Sequence, residues 1–387
     1  MRVLVVSTIG RFIWQFGDSS VKVLQDMGFE VHICANFNEQ LSHVDDDSLI
    51  KHQVDFCRSP FSGKNIKAYS QLKRILKENS FDLIHCQTPV AAWLSRLAAA
   101  QMGVSPVIYM PHGFHFYQGA PFKDKLVYKQ LESMMAKKTD AIICINIEDF
   151  KVASKFHLRK NGKVFYVPGV GIDLSRYENV VPVNIRKELA LSDDDFIITS
   201  VAELHQRKNH EQMIRAISLL PEKDRIHYVV CGVGSREEMI RKLAEKEKIN
   251  LHLLGFSRDA VGIVRGSDLF ALASFREGLS VALMEAMAIG APIIASRIRG
   301  NVDLIENNVN GLLFKCGDDR ETASAIGRML SRQVDIELMR RENLRRIKEY
   351  DMDRIKRIMR GIYEEMIISS GKTEIAANPK VKPQTGL

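Results

Sequence analysis

Ser274-Phe-Arg-Glu-Gly-Leu-Ser-Val-Ala-Leu-Met-Glu-Ala-Met-Ala288 decides how this chain is read. The apolar run Asp268 to Ala273 before it reads as a buried strand, and Gly290-Ala-Pro-Ile-Ile-Ala295 after it as another. Between them, Ser280 to Ile289 reads as a helix of small and apolar residues, with Ser280 placed to cap it. Glu277 precedes that helix and Glu285 lies inside it. A carboxylate among apolar neighbours is costly to bury without a partner. Gly278 lets a ligand approach the backbone, and a helix start offers N–H groups and partial positive charge to a phosphate. The pattern proposes a phosphate seat between two acids able to hold hydroxyl groups. It fits equally a buried strand–helix unit with one loop acid and one ion-paired helix acid.

Outward from this stretch, apolar runs alternate with helical patterns. Val3 to Ser7, Val31 to Ala35, Leu83 to Cys86, Val107 to Met110, Ala141 to Ile145 and Val164 to Val167 read as strands. The pattern breaks near Gly169-Val-Gly-Ile-Asp173 and resumes at Phe196 to Val201, Tyr228 to Cys231, Leu251 to Gly255, Leu269 to Ala273 and Ile293 to Ala295. Strands alternating with helices imply parallel sheets with right-handed crossovers. The first turn, Thr8-Ile-Gly-Arg11, has no G-x-G-x-x-G, so a dinucleotide site is not supported. Gly10 and Arg11 are still expected at the carboxyl edge of the sheet, where ligands of such folds bind. An ordinary tight turn with a solvated arginine is the plainer alternative.

The chain has 387 residues, 45% hydrophobic and 26% charged, which suits two soluble globular domains. No run approaches the roughly 18 apolar residues of a membrane span. The N-terminus enters a strand pattern without a signal-peptide layout, and the six cysteines form no C-x-x-C pair. A reducing cytoplasm is therefore expected, with neither a zinc site nor a disulfide framework. Net charge is +8 and the isoelectric point is near 9.1. Without a nucleic-acid motif, that charge favours phosphorylated substrates or an anionic membrane over nucleic acid.

The two Glu separated by seven residues, in E-G-L-S-V-A-L-M-E-A-M-A, resemble the signature of glycosyltransferase family 4, whose members are retaining, metal-independent, nucleotide-sugar enzymes of the GT-B fold. The segment His112-Gly-Phe-His-Phe-Tyr-Gln-Gly-Ala-Pro121 is similar to the EpsD-like bacterial exopolysaccharide and capsule transferases. The resemblance spans roughly residues 1 to 368. It implies two Rossmann-like domains facing across a cleft: an acceptor domain over 1–175, completed by a helix over about 352–368 that crosses back, and a nucleotide-sugar domain over 176–351. The stripe Ile355, Ile358, Met359, Ile362 and Met366 suits that crossing helix. Residues 369–387 lack periodicity and are expected to be disordered.

By the same resemblance, His112 lies beside the donor sugar, Glu277 faces its hydroxyls, Glu285 holds the ribose, and Gly10 and Arg11 lie on the acceptor side. His115 is a weaker candidate. Eight helical residues span about 12 Å, the order of separation of a sugar and a ribose joined by a diphosphate. Gly278, Leu279 and Ser280 would offer N–H groups to that diphosphate. In Ser200-Val-Ala-Glu-Leu-His-Gln-Arg-Lys-Asn-His210, Lys208 matches the family's lysine, but Glu203 stands where the family has arginine. Arg207 is the substitute expected to supply the second positive charge. Without a metal, such cations and helix N–H groups must stabilise the departing diphosphate. Gly255, Phe256 and Arg258, in Leu254-Gly-Phe-Ser-Arg258, resemble the segment that grips the nucleotide base. The glycine turn Cys231-Gly-Val-Gly would face the donor side.

Asp45-Asp-Asp, Asp193-Asp-Asp and the Asp351/Asp353 pair read as turns or helix starts rather than metal sites. Phe114 to Tyr128 mixes aromatic residues with lysine, a pattern able to dock on anionic headgroups and equally that of an ordinary loop and half-exposed helix. The expected function is transfer of a sugar, a hexosamine by preference, from a UDP-sugar to a polyprenyl-diphosphate-linked saccharide at the inner membrane face. No cofactor or metal is expected. The alternatives are a GT-B sugar-nucleotide epimerase, which needs no acceptor, and a catalytically silent nucleotide-sugar-binding protein. The sequence leaves the oligomeric state open.

Overall fold

The computed structural model describes residues 1–38, 48–117 and 119–372. Asp45-Asp-Asp and residues 373–387 lie outside them. The first seven strands are β1 (Arg2–Ile9), β2 (Glu30–Asn36), β3 (Ile50–Gln53), β4 (Leu83–Cys86), β5 (Val107–Tyr109), β6 (Ala141–Cys144) and β7 (Lys163–Tyr166). They form one parallel sheet in the order β3-β2-β1-β4-β5-β6-β7. The next six are β8 (Phe196–Val201), β9 (Ile226–Cys231), β10 (Asn250–Gly255), β11 (Leu269–Leu272), β12 (Ile293–Ser296) and β13 (Leu312–Phe314). Their order is β10-β9-β8-β11-β12-β13, again all parallel.

Successive strand residues point to opposite faces, and helices cover both. In β1, Val3 and Val5 join one core while Leu4 and Val6 join the other. In β11, Leu269 and Ala271 pack on one side and Phe270 and Leu272 on the other. Two edge strands carry no sequence signal. Ile50–Gln53 is mostly exposed and polar, and Leu312–Phe314 has only three residues.

The chain crosses between the sheets twice, and the two crossings pair with each other. Ile172 donates its N–H to the Tyr350 carbonyl at 2.9 Å, and Met352 donates to the Ile172 carbonyl at 2.9 Å. Gly171 has φ +89°, and a Cβ there would lie 3.1 Å from the Met352 Cα. After this point the helix Met352–Ser369 returns to the first sheet. Its Ile355, Met359, Ile362, Tyr363 and Met366 are buried against β1 and β2 residues. Tyr363 and His85 of β4 share a hydrogen bond of 3.0 Å. Lys372, which the sequence places in the tail, donates to the carbonyls of Asp82 and Ser105.

Asp351 caps this last helix by accepting the Asp353 N–H at 3.0 Å. Asp195 accepts the Ser192 N–H at 2.7 Å and closes a turn. Among the described residues, no three His, Cys, Asp or Glu side chains cluster as metal ligands would, and no helix is long and apolar enough to cross a membrane.

Candidate active site

Parallel sheets gather ligand sites beyond the carboxyl ends of strands, where the strand order reverses. The first sheet reverses between β1 and β4, the second between β8 and β11. Both reversals open on one cavity of about 500 Å³. Thr8 of β1 and Thr88 after β4 line it from the first domain, and Thr8 donates its N–H to Thr88 Oγ1 at 2.7 Å. Glu203 and Arg207 after β8, with Arg276, Glu277 and Gly278 after β11, line it from the second. His112 and His115, after β5, line it as well.

Glu277 is buried, and its Oε1 accepts a charge-assisted hydrogen bond from Lys208 Nζ at 2.7 Å. The residues that the sequence singled out separately, 69 positions apart, are thus one ion pair. The Arg207 carbonyl also accepts the Phe275 N–H at 2.8 Å, tying the 206–208 turn to the segment that carries Glu277. The helix after it runs Val281–Ala288, and Ser280 caps it by accepting the Leu283 N–H at 3.3 Å.

Glu285 takes a different neighbour. Tyr177, on the outgoing crossing, donates to its Oε1 at 3.0 Å. Burial pushes the Glu285 carboxyl above its ordinary value, against the opposing effects of the Tyr177 hydrogen bond and Arg176. Glu285 and Lys208 do not line the cavity, although Lys208 reaches it through Glu277; nor do Gly10, Leu279 and Ser280. Gly255, Phe256 and Arg258 also lie off it, with Phe256 78% exposed. Gly232 and Gly234 have a packing reason. A Cβ on them would sit 1.9 Å from the Ala202 carbonyl oxygen and 2.3 Å from that of Leu204.

His112 is half-buried in the cavity wall. Its Nε2 lies 3.4 Å from Gln87 Oε1, and burial lowers its pKa to about 4, so the imidazole is neutral near pH 7. Its carbonyl faces Gly278 across the domain boundary, where a Cβ on Gly278 would come within 2.1 Å of it. Gly113 has φ +117° and Gly300 φ +80°, and both back onto the Gly278 backbone.

Sequence reasoning missed Arg299 and Asp149. Arg299 Nη1 pairs with Asp149 Oδ1 at 3.0 Å and donates to the Phe114 carbonyl at 2.8 Å. Its Nε donates to the Glu277 carbonyl at 3.2 Å. Asp149 in turn accepts from the Phe114 N–H and from Asn146. A charged residue beside a glycine at a strand end, Arg299-Gly300 after β12, was the available signal. Arg58, Arg276 and Trp93 also line the cavity unannounced. Of the aromatic stretch 114–128, Phe114 and Phe116 are core residues, stacked at 4.7 Å, whereas Phe122 is 78% exposed.

Residues 183–350 match the family model described as glycosyl transferases group 1, and residues 3–146 match the one described as glycosyl transferase 4-like. EpsD of Bacillus subtilis, named as a glycosyltransferase, is 35% identical over 333 residues, covering 84% of this chain and 86% of the relative. An Escherichia coli protein named UDP-Gal:alpha-D-GlcNAc-diphosphoundecaprenol alpha-1,3-galactosyltransferase is 30% identical over 322 residues, covering 81% and 83%. Among solved structures, HepE of Anabaena in complex with UDP-glucose aligns with TM-score 0.77 at 17% identity, covering 94% of this chain and 100% of that one. Sucrose-phosphate synthase of Thermosynechococcus elongatus aligns with TM-score 0.76 at 17% identity, covering 95% and 100%. The two facing parallel sheets are the GT-B fold, and the chain belongs to the family-4 glycosyltransferases, within its EpsD-like group.

Proposed function

We propose that this chain moves a sugar from a UDP-sugar to a saccharide carried on a polyprenyl diphosphate, with retention at the anomeric carbon and without a divalent cation. A hexosamine is the sugar we favour. The observation that carries the reading is the cavity where the two strand-order reversals meet. Five arginines line it (Arg11, Arg58, Arg207, Arg276 and Arg299) against two carboxylates, Glu203 and Glu277. Such an excess of fixed cation suits two diphosphate-bearing substrates. The E. coli relative's printed name, and that of a Campylobacter jejuni relative (N,N'-diacetylbacillosaminyl-diphospho-undecaprenol alpha-1,3-N-acetylgalactosaminyltransferase), support the acceptor class. The HepE complexes with UDP and UDP-glucose support the donor class.

In this reading His112 and Glu277 position the sugar. Lys208, Arg207 and the backbone N–H groups of Gly278 to Ser280 take up the charge of the leaving UDP. Glu285 holds the ribose, and the Gly255–Arg258 segment the base. A polyprenyl acceptor resides in a bilayer, so the chain works as a cytoplasmic protein at the inner membrane face. The helix Phe122–Ala136 is the surface we assign to that contact. It exposes Phe122, Leu126, Val127 and Met134 beside Lys123, Lys129 and Lys137, and its Tyr128 lines the cavity.

Thermal-shift screening against UDP-, GDP- and ADP-sugars tests the donor, because a ligand that binds only the folded state stabilises it by mass action. Transfer to a short-chain prenyl-diphosphate saccharide, followed by NMR of the new anomeric centre and repeated in EDTA, tests the rest. Interconversion of the UDP-sugar without any acceptor, inversion at the anomeric carbon, or loss of transfer in EDTA would each overturn the corresponding part.

A further inference from the structure

The wall of the cavity supplied by the first domain has a composition of its own. The only carboxylates among the described lining residues, Glu203 and Glu277, both belong to the second domain. The first domain contributes Arg11 and Arg58, together with Phe12, Pro60, Pro89, Val90 and Trp93. The two guanidinium groups share one ring: Arg11 lies 5.7 Å and Arg58 5.9 Å from the Phe12 centroid. Arg11 opens the helix Gly10–Asp26, and the loop that carries Arg58 is built to stay in place. Buried Asn65 accepts the Cys57 N–H at 2.9 Å and donates to the Ser59 carbonyl at 2.8 Å, fixing the residues on both sides of Arg58.

Paired arginines bordered by apolar and aromatic side chains match a ligand that is a diphosphate at one point and a hydrocarbon beyond it. Phe61 of that loop, 81% exposed, and Ile66 in the first turn of the helix Lys64–Glu78, 76% exposed, continue the apolar character outward. Across the cavity, Arg207 and Arg276 stand on the donor-binding domain, so two diphosphates can be held by separate cations.

We infer that Arg11 and Arg58 seat the diphosphate of the acceptor, apart from that of the donor, with its prenyl chain leaving past Phe12 and Pro60. This rests on the reading that the acceptor is a polyprenyl-diphosphate-linked saccharide.

Isothermal titration with three probes tests it: N-acetylglucosamine on farnesyl diphosphate, the same sugar on farnesyl monophosphate, and its octyl glycoside. The parent should bind the diphosphate probe most tightly. Arg11→Gln and Arg58→Gln should each weaken that probe about tenfold, the scale of one hydrogen bond to a charged group. Binding of the octyl glycoside and of the UDP-sugar should not change, and Arg→Lys variants should recover part of the loss. Arg58 is exposed, so its variant opens no buried cavity and stands alone should Arg11→Gln fail to fold. Unchanged affinity of Arg58→Gln for the diphosphate probe overturns the assignment, as does an equal loss for the UDP-sugar. Transfer by the parent to the diphosphate probe is scored separately. A parent that transfers, with variants that bind as it does, sinks this seat and leaves the broader reading standing.

Discussion

Arg299 of the second domain and Asp149 of the first form a buried ion pair at 3.0 Å, and the same guanidinium holds the carbonyls of Phe114 and Glu277. One side chain therefore ties the segment after β5, which carries His112, to the segment after β11, which carries Glu277. Two charges taken out of water are tolerable here because further hydrogen bonds satisfy them. Breaking such a pair by removing one partner costs about 3–5 kcal/mol, which for a chain of this size lowers Tm by about 5 °C. Asp149→Asn should show that loss in a thermal melt, together with a fall in kcat of tenfold or more. A variant that melts and turns over like the parent would show that the pair positions nothing.

Glu277 and Lys208 share a hydrogen bond of 2.7 Å beside the cavity. Glu277→Gln keeps the shape and removes the charge. Lys208→Ala leaves the buried carboxylate without its cation. Each should lower transfer by about 10²–10³-fold, the scale of losing one preorganised electrostatic contact, while far-UV circular dichroism stays as in the parent. Parent-level turnover in either variant would remove that residue from the site.

The course of the strands was legible because parallel strands buried on both faces read as near-continuous apolar runs, as Leu83–Cys86 and Ala141–Cys144 do. β3 was not, because an exposed edge strand such as Ile50–Gln53 carries no such run. Glu277, Lys208 and His112 could be named from motifs. Their assembly could not, since Lys208 meets Glu277 only when β8 and β11 lie side by side. The pairing of Arg299 with Asp149 was invisible for the same reason: it spans 150 positions and two domains. Arg58 sits in a loop outside any apolar run, held in part by a hydrogen-bonded asparagine seven residues on.

Stability should depend on pH in two opposed ways. Burial lowers the pKa of His85 to about 3 and of His112 and His210 to about 4, from 6.5 in the unfolded chain. The unfolded chain then binds more protons, so stability is full above pH 6.5 and is lost as pH falls toward 4. Glu285 has the opposite sign. Its raised carboxyl pKa gives stability that is present below pH 4.5 and lost as pH rises through the folded value. Urea melts should show His112→Gln flattening the acid limb by on the order of 1–3 kcal/mol, from about 1.4 kcal/mol per pH unit. Glu285→Gln should raise stability at pH 7.5 relative to the parent, with the gain shrinking toward pH 4.5. A Glu285→Gln gain that is the same at both pH values would mean that the carboxylate's charge is not its source.

Gly278 separates the demands of backbone space from those of chemistry. A Cβ on it would lie 2.1 Å from the His112 carbonyl oxygen and 3.0 Å from its carbon, both backbone atoms of the other domain. Neither can swing aside as a side chain would, so Gly278→Ala must push the two domains apart. Transfer should fall at least about 10²-fold, because a displacement of about 1 Å at the reacting groups is enough for that. Small-angle scattering should report a larger radius of gyration. Gly361→Ala is the matched control. It lies on the exposed side of the helix Met352–Ser369 with nothing within 4 Å of its Cβ position. There the same methyl group should stabilise the protein by about 0.5–1 kcal/mol through helix propensity alone, with transfer unchanged. If Gly278→Ala also kept its activity and dimensions, the close approach of the His112 and Gly278 backbones would not be what holds the cleft in register.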